Sequence, residues 1–226
     1  MHIPDGYLGP ASCGFFYAVM IPIWALAAKI VKKTLSVRQV PLMAIGAAFS
    51  FVIMMFNIPI PGGSTGHAVG GVLVAILLGP WAAVISITIA LVVQALLFGD
   101  GGVTAIGANS FNMAFAMPFA GYYTYKLISL NAPQVSGRRV FAAGAAAYIG
   151  LNIAALLTGI EFGLQPLLHH SASGQALYCP YGLNIAVPVM LGEHMLIFGW
   201  VEALVTSLVV KYLQKHDPAL LSGVVK

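Results

Sequence analysis

Long apolar segments follow one another along this sequence with only short polar stretches between them, and this pattern constrains the fold most strongly. Seven such segments stand at about residues 11–31, 41–57, 67–78, 81–98, 109–128, 140–158 and 185–213. A helix that spans a membrane needs about 20 apolar residues, so 67–78, which precedes the break signal Gly79-Pro80, is too short to span alone. We expect this segment to dip partway into the membrane or to be continued by irregular backbone. The sequence predicts an all-α integral membrane protein of about seven transmembrane helices, folded as a single domain over residues 1–226.

The composition agrees with a membrane protein and excludes several other classes. Only 7% of the residues are charged and 60% are hydrophobic, whereas soluble domains carry about 25% charged residues. The net charge of +4 comes from basic residues spread between apolar segments, which serves membrane orientation and argues against nucleic acid as a partner. Cys13 and Cys179 are too few for a disulfide framework and lack metal-ligand spacing, so we interpret them as small apolar residues.

The positions of the charges predict an orientation. With seven crossings, every basic residue falls on one side of the membrane, and the segments 1–10, 58–66, 99–108 and 159–184 contain neither Lys nor Arg. The positive-inside rule makes the basic side cytoplasmic, so we expect the N-terminus outside and the C-terminus in the cytoplasm of a multi-pass cell-membrane protein. The basic residues are Lys29, Lys32, Lys33, Arg38, Lys126, Arg138, Arg139, Lys211, Lys215 and Lys226.

Two of the outer segments are rich in glycine and lead directly into apolar segments. They read "NIPIPGGSTGH" and "FGDGGVTAIGANSFNM", and glycine allows a backbone to approach a ligand closely. Irregular backbone at membrane depth is tolerated where it lines a cavity, so we expect these loops to fold inward and line a site rather than form exposed turns. "GGSTGH" lacks the lysine of a phosphate-binding loop, and what it offers is His67, held by Gly62, Gly63 and Gly66.

The N-terminal residues offer a set of nitrogen ligands. The amino end lacks the basic region of a signal peptide, and because His2 is large we expect Met1 to be retained with a free α-amine. That amine and the His2 amide nitrogen close a five-membered chelate ring on a metal, and the amide and the imidazole Nδ1 close a six-membered ring. A planar nitrogen set with a deprotonated amide is typical of Ni(II) or Cu(II), and His67 is the candidate for the fourth position. The alternative interpretation is that His2 is a disordered terminal residue and that His67 only begins a helix. A turn at Pro4-Asp5-Gly6, which would direct the terminus back toward the protein, favours the metal site.

Other polar residues are candidates for supporting roles. Gln94, Asn109, Ser110 and Asn112 lie in or beside the third outer segment, where they either hydrogen-bond a free imidazole nitrogen or satisfy the loop backbone. His194 and Glu202 lie in the last apolar segment, where ionisable groups indicate function or an interior polar pair. His169 and His170, in the long outer segment before the last apolar one, either attract cations to the surface or are solvated loop residues, and we favour the second interpretation.

Small residues recur at helical spacing in two of the apolar segments. They stand four apart at Ala44–Ala48 and Ala142–Ala146, and such spacing lets helices approach closely. These residues therefore pack either within the chain or against a membrane partner.

Three segments of the sequence resemble signature segments of one protein family. "MHIPDGYL", "GGSTGH" and "FGDGGVTAIGANSFNM" are similar to those of the NikM/CbiM family, the substrate-binding (S) subunits of energy-coupling-factor (ECF) transporters for nickel and cobalt. The resemblance covers essentially the whole chain. It implies a six-helix core with one additional N-terminal helix, and a metal bound by the amine of Met1, the amide and imidazole of His2, and the imidazole of His67.

The resemblance also implies partners and a substrate. Uptake in this family needs a transmembrane coupling (T) subunit, cytoplasmic ATPase subunits and usually a small additional membrane subunit, and Ala44 and Ala48 resemble the alanine-spaced helix that meets the coupling subunit. ATP hydrolysis is then on separate chains, and this chain is not an enzyme. The start with Pro4-Asp5 resembles nickel-type members, so we favour Ni(II) over Co(II) as the transported ion.

Three rival functions are weaker. A zinc-dependent membrane hydrolase would need H-E-x-x-H, of which Glu193-His194 is only a fragment. A channel or proton-coupled metal transporter would show more intramembrane charges or matching half-repeats. Copper uptake fits the planar geometry, but the outer segments lack thioether-rich clusters.

Overall fold

The fold is a bundle of helices with one short β-hairpin. The computed structural model describes residues 1–60 and 64–221, without the side chain of Arg38; Gly62, Gly63 and Lys226, which the sequence analysis used, lie outside the described residues. The helices and strands are α1 (Pro10–Thr34), α2 (Val40–Met55), β1 (Ile58–Ile60), β2 (Ser64–Gly66), α3 (Gly71–Leu78), α4 (Pro80–Val93), α5 (Ile106–Asn109), α6 (Met117–Ile128), α7 (Gly137–Leu168), α8 (Leu183–Glu193) and α9 (Gly199–His216).

In the described part of the chain, three wide π-helical turns lie between or after these helices. Gln94–Phe98 continues α4, Ser110–Ala116 joins α5 to α6, and His194–Phe198 joins α8 to α9. Short 3₁₀ turns at Val37–Gln39 and Pro218–Leu221 flank the bundle. Because π-helical turns often occur at functional sites, their positions are relevant to the site described below.

The length and hydropathy of the helices confirm a multi-pass membrane protein. Four helical runs in the described part of the chain are long and apolar enough to cross a membrane, and α2 is a shorter apolar helix. The number of crossings and the orientation stay predictions. The four runs are Pro10–Thr34, Pro80–Phe98, Gly137–Leu168 and Leu183–His216.

The structure departs from the sequence prediction in two places. Residues expected to form an irregular loop pair as an antiparallel hairpin, with Ile58 opposite Gly66 and Ile60 opposite Ser64, so the chain is mostly rather than entirely helical. The sixth segment was expected to end near residue 158, but α7 continues to Leu168. Its polar residues do not end the helix because they find partners there: the Gln165 side chain accepts a hydrogen bond from the Gly9 N–H at 2.9 Å and donates one to the Glu161 carbonyl at 2.8 Å.

The short helix α3 lies in the centre of the bundle. It is buried over nearly its whole length, and Gly79, with φ of 90°, separates it from α4. Glycine permits its close packing, because a Cβ built at Gly150 of α7 would lie 2.7 Å from Val72 Cγ2 and 2.9 Å from the Met117 carbonyl oxygen. Helix α7 also buries Ala142 and Ala146, so this small-residue pair packs inside the chain, whereas Ala44 and Ala48 remain exposed on α2.

Adding a methyl group at Gly150 should destabilise the bundle. We expect Gly150→Ala to lower the thermal midpoint in detergent, because the new Cβ meets Val72 and a backbone carbonyl and overpacking costs about 1–3 kcal/mol. Gly14→Ala in α1 is the control, since nothing lies within 4 Å of its Cβ position and alanine favours a helix. Equal midpoints for the two variants would contradict this account of the packing.

Candidate metal centre

The first three residues are buried inside the protein. Met1 and Ile3 are fully buried and His2 is 3% exposed. The Ile3 N–H donates to Asn109 Oδ1 at 2.9 Å, and the Ile3 carbonyl accepts from Asn109 Nδ2 at 3.1 Å and from the Gly102 N–H at 2.8 Å. The Ser64 hydroxyl of β2 donates to the His2 carbonyl at 2.9 Å. The hairpin and the second glycine-rich loop therefore hold the N-terminus between them.

A turn after residue 3 directs the chain to this position. Gly6 has φ of 82°, a left-handed conformation that glycine adopts without strain. The Asp5 carboxylate accepts hydrogen bonds from the hydroxyl and N–H of Thr104 and from the Val103 N–H. The hydrogen bond from the Thr104 side chain, with the backbone bonds, lowers the pKa of Asp5 despite some burial. This carboxylate fixes the turn to the glycine-rich loop 99–105.

The imidazoles of His2 and His67 are stacked on each other. Their ring centroids are 4.4 Å apart and the planes differ by 28°. His2 Nε2 donates to Gln94 Oε1 at 3.3 Å, because a carboxamide oxygen only accepts. His67 Nδ1 donates to the Ala68 carbonyl at 3.1 Å. These bonds leave His2 Nδ1 and His67 Nε2 as the nitrogens with free lone pairs, and both are buried without a hydrogen-bond partner among the described residues.

Burial keeps the nitrogens of the N-terminus unprotonated. It lowers the pKa of the Met1 amine to about 4, although the carboxylates of Glu193 and Asp100 act to raise it. Burial, assisted by the charge of the amine, lowers the pKa of His2 to about 3, and burial takes the pKa of His67 well below its usual value. Desolvation disfavours the charged form of a base. At neutral pH these nitrogens therefore carry lone pairs that can bind a cation.

Two carboxylates that the sequence analysis did not assign lie at this site. Asp100 Oδ1 is 3.4 Å from His2 Nδ1 without the geometry of a hydrogen bond, and burial raises the pKa of Asp100, opposed by the nearby amine and by the Asn57 hydrogen bond. The Glu193 carboxylate and the Phe198 ring fill the space where Gly66 would carry a Cβ, directly before His67. The only sequence signal for Asp100 was its position as the one acidic residue of "FGDGG".

The candidate supporting residues occupy different places. Gln94 contacts His2, whereas the Asn109 side chain binds the backbone of Ile3 rather than an imidazole. Ser110 Oγ is buried without a hydrogen-bond partner in the described part of the chain. Asn112 points away, donating to Glu161 Oε2 at 3.0 Å and to Thr158 Oγ1 at 3.1 Å.

His194 and Glu202 do not form a pair with each other among the contacts described. His194 Nδ1 donates to the Met190 carbonyl at 2.8 Å, and its Nε2 has no hydrogen-bond partner among the described residues. His194 is also close enough to the Met1 amine and to His67 to interact with both electrostatically. The Glu202 carboxylate accepts from the N–H groups of Val69 and Gly70, just after His67. The last membrane helix therefore borders the site.

Side chains alone do not form a metal cage here. Among residues 1–60 and 64–221, no group of three or more His, Cys, Asp or Glu side chains is arranged to hold a metal ion. A site built on Met1, His2 and His67 needs only two imidazoles, because its remaining donors are the terminal amine and a backbone amide.

Comparisons with known proteins show that the chain is similar to membrane metal transport proteins. A crystal structure of a truncated transition metal transporter superposes with a TM-score of 0.91 at 56% identity, covering 96% of this chain and 99% of that one. The chain is 51% identical over 220 residues to the probable fused nickel transport protein LarMN of Lactiplantibacillus plantarum, and 51% over 222 residues to the fused nickel transport protein NikMN of Rhodobacter capsulatus. These two matches cover 96% and 98% of this chain, but only 66% and 64% of the length of the two fused relatives.

Two further matches identify the family. The chain is 48% identical over 224 residues to a putative metal transport protein of Methanocaldococcus jannaschii, covering 99% of this chain and 96% of that protein. The family model described as "cobalt uptake substrate-specific transmembrane region" matches residues 2–220. The chain therefore belongs to the CbiM/NikM family of nickel and cobalt transport membrane proteins, as its signature segments indicated.

The pKa shifts predict that the metal-free protein loses stability as the pH falls. The folded state binds the amine and imidazole protons more weakly than the unfolded chain does, so stability is fully present above about pH 8 and declines as protons bind the unfolded state. For His67 the decline begins near pH 6.5, its usual pKa. We therefore expect the thermal midpoint of wild type, measured with a chelator present, to fall more steeply from pH 8 to pH 5 than that of His67→Ala.

The comparison with a variant is needed because buried acids act in the opposite direction. The raised pKa of Asp100 favours the folded state at lower pH, but this contribution is common to wild type and His67→Ala. His170→Ala, in an exposed loop, is the matched control and should keep the wild-type slope. Parallel profiles for all three proteins would show that burial of His67 does not set the pH dependence.

Proposed function

We propose that this chain is the substrate-binding subunit of an ATP-driven, energy-coupling-factor-type transporter, and that it binds Ni(II) at the outer face of the membrane. Its site has four nitrogens in one plane: the Met1 amine, the His2 amide, His2 Nδ1 and His67 Nε2. The observation that carries this proposal is the buried N-terminus, whose unprotonated nitrogens lie beside the stacked imidazoles of His2 and His67.

The tautomer of His2 supports the chelate. The six-membered ring requires Nδ1, because only that nitrogen lies close enough along the side chain to reach the metal held by the residue's own amide. Gln94 occupies Nε2 and so leaves Nδ1 as the donor. A hydrogen bond to the other ring nitrogen is the usual means by which proteins fix a metal-binding histidine.

The environment of His67 supports it as the fourth ligand. Its Nδ1 is occupied by the Ala68 carbonyl, and its free Nε2 is buried without a partner among the described residues. A buried polar atom without a partner is costly, and a metal ion that accepts this lone pair removes the cost.

Nickel is favoured over cobalt as the substrate. A planar set with a deprotonated amide suits the d⁸ ion Ni(II), and both 51% identical relatives are named nickel transport proteins. Co(II) is the second candidate, because a cobalt transport protein CbiM of Kyrpidia tusciae is 30% identical over 224 residues.

Transport itself requires partners. In our proposal the N-terminus lies outside and the C-terminus in the cytoplasm, where ATPase subunits work through a transmembrane coupling subunit. The exposed pair Ala44 and Ala48 on α2, next to an apolar cleft lined also by Ala90 and Val93, is the proposed contact with that subunit. A small additional membrane subunit is also proposed, since the fused relatives extend well beyond the matched region.

Removing either imidazole should weaken nickel binding strongly. We expect His2→Ala and His67→Ala to lower Ni(II) affinity by more than about 100-fold, beyond the loss typical of residues that only support a ligand. Isothermal titration calorimetry in detergent measures this, and His170→Ala, from an exposed outer loop, is the matched control. Wild-type affinity in His2→Ala or His67→Ala would refute the four-nitrogen site, as would a paramagnetic nickel complex, because square-planar Ni(II) is diamagnetic.

Proton release offers an independent test of the amide ligand. The amine and imidazoles are already unprotonated at pH 7, so nickel displaces only the His2 amide proton, and we expect about one proton per metal. Calorimetry in buffers of different ionisation enthalpy counts the protons. Release of no proton would exclude the His2 amide as a ligand. Release of about two protons per metal would mean that the Met1 amine keeps an ordinary pKa near 8.

A further inference from the structure

Glu202 of α9 is a buried carboxylate whose hydrogen bonds go to the backbone next to His67. It is 1% exposed. Its Oε2 accepts from the Val69 N–H at 2.7 Å, and both oxygens accept from the Gly70 N–H, at 2.9 and 3.0 Å. These contacts hold the buried carboxyl group against two consecutive backbone N–H groups. The last membrane helix is thus tied to the segment between β2 and α3.

One peptide group connects Glu202 to the His67 ring. The peptide between Ala68 and Val69 accepts a hydrogen bond from His67 Nδ1 through its carbonyl, at 3.1 Å, and donates through its N–H to Glu202, at 2.7 Å. The carboxylate therefore fixes the plane of the peptide whose other end holds the imidazole. Metal-binding histidines commonly donate to a carboxylate directly; here a peptide group stands between the two.

The backbone around this peptide depends on such an anchor. Gly70 has φ of 76°, and a Cβ there would collide with the Phe49 ring. The backbone conformation that leads into α3 is therefore restricted to one that requires glycine at this position. Val69 and Gly70 also lie at the N-terminus of α3, where the helix dipole favours a negative group. The same carboxylate satisfies the N–H groups that precede the helix and holds the peptide at His67.

We propose that Glu202 is a positioning residue for the metal centre. Through the Ala68–Val69 peptide it keeps the proton of His67 on Nδ1 and directs the free Nε2 toward the Met1 and His2 nitrogens. Metal affinity then depends on a carboxylate that touches no metal ligand itself. This inference rests on the proposed role of His67 as a ligand.

The substitution Glu202→Gln tests the link while preserving side-chain shape. Its amide NH₂ would face a backbone N–H, so one acceptor is lost and two donors oppose each other. We expect Ni(II) affinity to fall about 10–100-fold, the range typical of groups that orient a ligand. Glu161→Gln is the matched control, because Glu161 is also a buried carboxylate of a membrane helix but bonds to Asn112; it should bind nickel as wild type does.

A double-mutant cycle separates positioning from general destabilisation. Contacts that act through one another are non-additive, so Glu202→Gln should have no further effect on Ni(II) affinity in a His67→Ala background. An equal loss in both backgrounds would overturn the inference. If His67→Ala binds nickel as wild type does, the four-nitrogen site fails and this inference with it; if His67→Ala binds weakly but Glu202→Gln binds normally, only the role of Glu202 fails.

A measurement on the wild-type protein covers the case in which Glu202→Gln does not fold. Nitrogen-15 NMR of histidine side chains distinguishes the two neutral tautomers, and His67→Ala assigns the resonance. We expect His67 in the metal-free protein to carry its proton on Nδ1 alone. A proton on Nε2, or a mixture of tautomers, would show that the peptide and Glu202 do not control the ring.

Discussion

The burial of the N-terminal backbone is the interaction on which the rest of this site depends. A chain terminus normally stays in water because its amine is charged, and desolvation of that charge is costly. Here the Ile3 backbone is bonded on both its N–H and its carbonyl to Asn109, and the Asp5 carboxylate holds the following turn to the loop at Thr104. These bonds hold the amine in a place where burial favours its neutral form at neutral pH, which is the form that binds a metal.

Hydropathy and charge predicted most of the fold, because long apolar helices follow from local sequence. The break at Gly79, the short α3 and the family membership were all visible before the structure. The pairing of β1 with β2 and the last turns of α7 were not, since both depend on partners distant in sequence: Ser64 bonds the His2 carbonyl, and Gln165 bonds the Gly9 N–H. The three π-helical turns of the described residues could not be predicted from the sequence either, because one additional residue in a turn does not change the hydropathy pattern of an apolar segment.

The sequence placed His2, His67 and Gln94 at one site, and the structure brings these side chains together. The size of the chelate rings indicated His2 and the glycine content of the loops indicated His67, and both are properties of short segments that can be read from the sequence. Asp100 and Glu193 were not assigned, and the contact of Glu202 with the backbone after His67 was not foreseen. Each of these depends on how distant elements pack, and an acidic residue in a loop or an apolar helix gives no indication of which backbone or ring it will meet.

The π-helical turns show how the bundle supplies polar groups to the site. Two of them begin at residues of the site region, Gln94 and His194, and a third begins at Ser110, next to Asn109. A wide turn shifts the residues that follow it around the helix axis, so a helix that is apolar on both sides can still present one polar side chain inward. In the last helix this shift lies between Glu193, against Gly66, and Glu202, on the N–H groups of Val69 and Gly70. One membrane helix therefore contacts the segment that carries His67 on both sides of the imidazole, through Glu193 at Gly66 and through Glu202 at Val69 and Gly70.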